Sequence, residues 1–147
     1  IVKRKPKKTE KKIPLWLLIL QPFSLPFAVW FWQFLLVKMI DVYHLWPWFD
    51  IPMHFLGGIA MTVTAHEFLC LAVKRKLLSV PNSLVKIFLL VSFVAVAAIV
   101  WEWYEFLSDY FFGTLDQPTV SDTIGDLWFG LFGAFVASVI LVYKRKL

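Results

Sequence analysis

Four long apolar runs separated by short polar connections dominate the chain, at residues 13–36, 51–73, 83–106 and 123–143. Each reaches the ~20 residues that a helix rising 1.5 Å per residue needs to cross a bilayer's hydrocarbon core. Pro14 opens the first run, and Pro22 and Pro26 fall inside it, which predicts a kink where backbone donors are missing. Pro52 suits the first turn of the second run. Asn82 or Ser83 can cap the third run and Asp122 the fourth. The first run is too long for a signal peptide's apolar stretch and has no small-x-small cleavage pattern, so a retained helix is expected. The reading is an all-α membrane protein: a basic tail at 1–12, then one domain at 13–147 forming a four-transmembrane-helix bundle.

Composition agrees. Hydrophobic residues make up 60% of the 147 and charged residues 17%, against about half and a quarter in soluble domains. So short a soluble chain could not hide that much apolar surface. A soluble enzyme, a disordered chain and a disulfide scaffold are therefore excluded. The lone Cys70 allows no intrachain disulfide and is read as packing.

Charge then orients the bundle. Four helices put both termini on one side, and that side receives fourteen of the fifteen Lys and Arg residues, with only Lys38 opposite. By the positive-inside rule it is cytoplasmic, giving a multi-pass protein of the cell membrane with both termini inside. The basic residues thus set topology, and nucleic acid is not an expected partner. Tyr43, Trp46 and Trp48 in the first outer loop read as an interfacial aromatic belt.

The acids gather at the other end. Eight of the ten lie at or near the outer side: Asp41, Asp50, Glu102, Glu105, Asp109, Asp116, Asp122 and Asp126. Asp50 and His54 are four apart, as are Asp122 and Asp126, while Glu102, Glu105 and Asp109 step by three and four along one helical face. His54, Glu102, Glu105 and Asp126 fall roughly 5–10 Å inside their helix mouths at 1.5 Å per residue. Ionisable groups within membrane segments are costly, and carboxylates at one depth repel unless a cation or shared protons intervene. An oxygen-rich set with one imidazole suits a divalent metal ion of undecided identity. The metal-ligand candidates are His54, Glu102, Glu105, Asp122 and Asp126, with Asp50 and Asp109 as secondary candidates. Glu102 and Glu105 are also the catalytic candidates. The plainer alternative, caps and solvated interfacial acids, suits Asp50, Asp109, Asp116 and Asp122 best.

Other motifs are weaker. His66-Glu67 begins an HExxH-like string, but Cys70 stands where the second His belongs, so the zinc-protease motif is broken. Asp122-Thr-Ile-Gly-Asp126 has the spacing of an aspartate-rich diphosphate-magnesium motif, of which membrane prenyltransferases use two. No GxGxxG, Walker A or GxSxG motif occurs. Gly57, Gly58, Gly125, Gly130, Gly133, Ala134 and Ala137 read as close helix packing, and Trp101, Trp103, Tyr104 and Trp128 as belt or wall residues.

Three strings taken together resemble a known family: Asp50-Ile-Pro-Met-His54-Phe-Leu-Gly-Gly58, Trp101-Glu102-Trp-Tyr-Glu105-Phe106, and Asp122-Thr-Ile-Gly-Asp126-Leu127 followed by Gly133-Ala134. They look like the YjdF-type family of largely uncharacterised membrane proteins and, more remotely, the VanZ-like proteins. The resemblance implies that His54, Glu102, Glu105, Asp122 and Asp126 form a family polar signature. It also implies that Gly130 replaces a polar Asn found in relatives. It implies no established activity.

Three functions fit these observations. The first is a metal-dependent hydrolase or transferase acting at the outer leaflet on a lipid or envelope precursor, with the bilayer itself as partner. The second is a structural or partner-binding subunit whose acids form internal hydrogen bonds. The third is a small cation or proton transporter, which would need a homo-oligomer and a polar path beyond Thr62 and Thr64.

Overall fold

The structure, a computed structural model, describes residues 14–144. The expected tail at 1–12 lies outside the described residues. The described chain is helical without strands: α1 at Leu15–Leu20, α2 at Ser24–Ile40, α3 at Val42–Leu45, α4 at Asp50–Lys74, α5 at Ser83–Phe112 and α6 at Val120–Lys144. Four stretches are long and apolar enough to span a membrane: Trp16–Ile40, Pro47–Lys74, Ser83–Phe112 and Val120–Lys144. The protein is thus a four-span helical membrane protein. One end of the bundle carries the connections at 41–49 and 113–119 and most of the acids; the opposite end carries Lys74, Arg75, Lys76, Lys86 and Lys144.

The first span shows how proline shapes the packing. A 3-10 turn at Gln21–Phe23 separates α1 from α2. Pro22 has no N–H to continue the α1 ladder. Pro26 has none to offer the Pro22 carbonyl four residues back, which is left without its helical partner. The Thr64 hydroxyl on α4 donates to that carbonyl at 2.6 Å, fully buried. A buried carbonyl left without a donor costs about 1–3 kcal/mol. The kink is therefore also the point where the first span is pinned to the second.

Two helices differ in extent from the sequence expectation. α5 continues to Phe112, where Gly113 in the left-handed region (φ 65°) ends it. Its 30 residues amount to about 45 Å, longer than a ~30 Å hydrocarbon core. α6 starts at Val120 because Thr119, not Asp122, caps it: the Thr119 hydroxyl accepts from the Asp122 N–H at 3.1 Å. At the start of α5, the Asn82 side chain accepts from the Val85 N–H at 2.9 Å.

α4 is the central helix, packed against α2, α5 and α6. Its approach to α6 is backbone against backbone. A Cβ on Gly58 would overlap the Gly130 carbonyl oxygen, and a Cβ on Gly133 would overlap that of Phe55. With no hydrophobic drive between helices in lipid, such close approach is what small residues provide. Ala60, Ala134, Ala137 and Ser138 fill the rest of the seam. A cluster of Ala65, Leu69, Leu90 and Val142 closes the bundle toward its basic end. Large apolar side chains such as Phe88, Val96 and Phe135 point outward, as lipid-facing residues do.

Candidate functional site

The seam between α4 and α6 fixes the site's centre. A Cβ on Gly130 would come to 3.8 Å from the His54 carbonyl oxygen, and one on Gly58 would overlap the Gly130 carbonyl, so the turn bearing His54 and the turn bearing Asp126 lie close together. His54 Nε2 lies 3.6 Å from Asp126 Oδ1 and 3.4 Å from Asp50 Oδ2. The His54 imidazole therefore stands between carboxylates from two helices. Asp126 is 5% exposed.

The third helix completes the cluster. Glu102 and Glu105, one turn apart on α5, are both buried on the face turned to Asp126. Two donor sets result: Asp50, His54 and Asp126, and Glu102, Glu105 and Asp126. Within each, one ligand atom per residue lies within 4.8 Å of the others. That separation matches two metal–ligand bonds of roughly 2.0–2.6 Å placed across a shared cation. Asp126 belongs to both sets, as a carboxylate bridging two positions would.

Sequence reasoning missed four residues that orient this cluster. Gln33 on α2 donates its side-chain amide to the Tyr43 hydroxyl, which donates to Asp50 Oδ1 at 3.0 Å. Burial, and then the neighbouring Asp50 charge, raise the Tyr43 phenol above its ordinary pKa and keep it a donor. Trp101 Nε1 donates to Glu105 Oε1 at 2.7 Å. Gln117 Nε2 donates to Glu102 Oε2 at 2.9 Å. Tyr43 and Trp101 read as belt residues in the sequence, and Gln33 and Gln117 are single amides without spacing. Only Trp101, one turn before Glu105, offered a usable signal.

Two of the candidate ligands enter neither donor set among the described residues. Asp109 is taken by the loop that follows α5. It accepts from the Thr114 hydroxyl at 2.6 Å, the Asp116 N–H at 2.8 Å and the Gln117 N–H at 2.9 Å. Its work is to fold that loop back, which sets Gln117 over Glu102. Asp122 sits in the first turn of α6 and enters neither donor set among the described residues.

His66 and Glu67 lie toward the other end of α4, outside both sets. His66 is buried with the Cys70 sulfur 3.7 Å from its ring, while Glu67 is exposed.

Inward from His54 and Asp126 runs a cleft of about 430 Å³ between α2 and α5, floored by α4. Gln33, His54 and Asp126 mark its polar end, and Phe23, Met61 and Val94 its apolar end. A cleft with a few convergent polar groups at one end is the usual form of a small-ligand site.

Neither a curated protein nor a solved structure matches the chain. One family does, over residues 14–146, nearly the whole length. The chain belongs to the family described as Predicted membrane protein (DUF2238).

Proposed function

We propose that the protein is a metal-dependent membrane enzyme, a hydrolase or transferase acting on a lipid or envelope precursor at the acidic end of the bundle. One observation carries the reading. Donor sets from three helices share Asp126, and each is gathered within a cation's reach. Separate carboxylates at one depth in a low-dielectric setting repel, and a divalent cation relieves that repulsion.

In this reading His54, Glu102, Glu105 and Asp126 hold the ion, and Asp50 orients His54 or adds a ligand. A bound divalent ion would polarise a phosphoryl or carbonyl oxygen or lower the pKa of water. Trp101, Gln117 and Tyr43 fix the carboxylates' orientation, the role partners of metal ligands usually have. A carboxylate not engaged by metal, Glu102 or Glu105, serves as the proton acceptor. The density of basic residues at the opposite end supports a cytoplasmic placement of both termini. The finer kinship with YjdF-type and VanZ-like proteins, carried by the same strings, belongs to this proposal too.

Metal analysis tests the reading. Full-length protein loaded with Mn²⁺ in detergent and desalted should retain stoichiometric metal, and Glu102→Gln and Asp126→Asn should lose it. Wild-type protein that retains none refutes the reading.

A second reading has an observation of its own. The chain Gln33, Tyr43, Asp50, His54, Asp126 ties α2, α3, α4 and α6 through polar contacts. A purely structural subunit would use such a network as glue. It predicts that the same substitutions lower thermal stability while no form binds metal.

A further inference from the structure

We propose that the cleft between α2 and α5 holds one acyl chain of a bilayer phospholipid, with the lipid's phosphate end at His54 and Asp126. The inference rests on the reading of the acidic end as a metal site that receives a head group.

The polarity of the cleft argues for an amphiphile. Its polar side chains, Gln33, His54 and Asp126, stand at one end, and the remainder of its wall is apolar. Along α4 it runs from Met53 to Met61, and along the first span from Gln33 back to Phe23 in the turn before α2, which is ~12–15 Å at 1.5 Å per residue. Ordered water needs two to four polar partners, and the deep part of the wall offers none. The nearby hydroxyls of Thr62 and Thr64 are committed to the carbonyls of Gly58 and Pro22. A hydrocarbon chain is the occupant such a wall favours.

Placement argues for a chain from the bilayer. Every residue lining the cleft lies within one of the four spans. Phe27 and Trp30 line it and are also 61% and 42% exposed, so its mouth faces the lipid. The wall is thinned where a chain would lie. Gly57, Ala97 and Ala98 line it, and a Cβ on Gly57 would meet nothing within 4 Å. Its neighbour Gly58, by contrast, is filled by the α6 backbone. A chain entering from the side would keep its head group at the level of His54, where the carboxylates converge.

Photolabelling tests this. Full-length protein is placed in nanodiscs containing a phosphatidylcholine with a diazirine at mid-acyl chain, irradiated and digested, and adducts are mapped. Adducts are expected on cleft residues Met53, Met61 and Val94 as well as on the lipid-facing references Phe88 and Phe135. Gly57→Phe should lower cleft labelling by about tenfold, because the added ring occupies the space the chain needs. Reference labelling and Mn²⁺ content should stay unchanged. Ala97→Phe plugs the opposite wall and carries the same expectation should Gly57→Phe fail to fold. Cleft labelling equal in wild type and the plugged variant overturns the proposal, as does labelling confined to the lipid-facing references. Asp126→Asn separates the two readings. Lost metal with cleft labelling retained supports both. Plug-sensitive labelling in protein that never binds Mn²⁺ supports the acyl site and refutes the metal.

Discussion

The imidazole of His54 and the carboxylate of Asp126 come within 3.6 Å on helices whose backbones approach closely at Gly58 and Gly133, where neither has a Cβ to hold them apart. The site is thus a consequence of the seam. What brings α4 and α6 together also brings together the two groups around which the remaining carboxylates collect.

The seam itself can be tested with single methyl groups. Gly58→Ala and Gly133→Ala each place a Cβ onto a carbonyl oxygen of the facing helix. Each should destabilise the protein by about 1–3 kcal/mol, the usual cost of overpacking. Gly57→Ala meets open space and should be neutral or stabilising by up to ~1 kcal/mol through helix propensity. Thermal unfolding in detergent checks the contrast between the adjacent glycines.

Thr64 and the proline kink form a second, independent test. Thr64→Val removes the donor to the Pro22 carbonyl and should cost about 1–3 kcal/mol, the penalty of a buried unsatisfied acceptor. Pro26→Ala restores an N–H four residues after Pro22. The double variant should therefore lose less stability than Thr64→Val alone. A double-mutant cycle on unfolding midpoints gives the coupling.

Asp109 should behave as a loop anchor. Asp109→Ala frees the Asp116 and Gln117 amides that it now binds. Amide hydrogen exchange across 114–117 should accelerate by roughly tenfold or more as local protection is lost. Stoichiometric Mn²⁺ uptake at saturating metal should persist, since Asp109 is outside both donor sets. Loss of that stoichiometry would return Asp109 to the ligands.

Tyr43 offers a milder perturbation. Tyr43→Phe leaves the ring and removes the hydroxyl that links Gln33 to Asp50. Outer partners of metal ligands typically matter by about 10–100-fold in affinity. Mn²⁺ titration should show a weakening within that range with stoichiometry preserved.

The four spans were legible in the sequence because a membrane helix is specified by length and apolar content, properties local to each run. The acidic end was legible for a related reason. Glu102 with Glu105 and Asp50 with His54 announce shared faces by spacing alone. Other features depend on how separated pieces meet. Asp109 looked like one more step on the Glu102 face until the left-handed Gly113 turned the chain back onto it. Asp122 looked like a cap, but Thr119 starts α6 one turn earlier, leaving Asp126 as the acid that reaches the other helices. Gln33 and Gln117 carry no periodic signal, and their role exists only after α2 and the 113–119 loop have been placed over the site.

The central claim is that Asp126 is the shared ligand of a divalent cation. Isothermal titration of Mn²⁺ into metal-free, full-length protein tests it most directly, with Asp126→Asn and the unfolding midpoint of each form measured alongside. The account predicts saturable, stoichiometric binding by the wild type and loss of that binding in a folded Asp126→Asn protein. Equal binding by both forms, or none by the wild type, would contradict it.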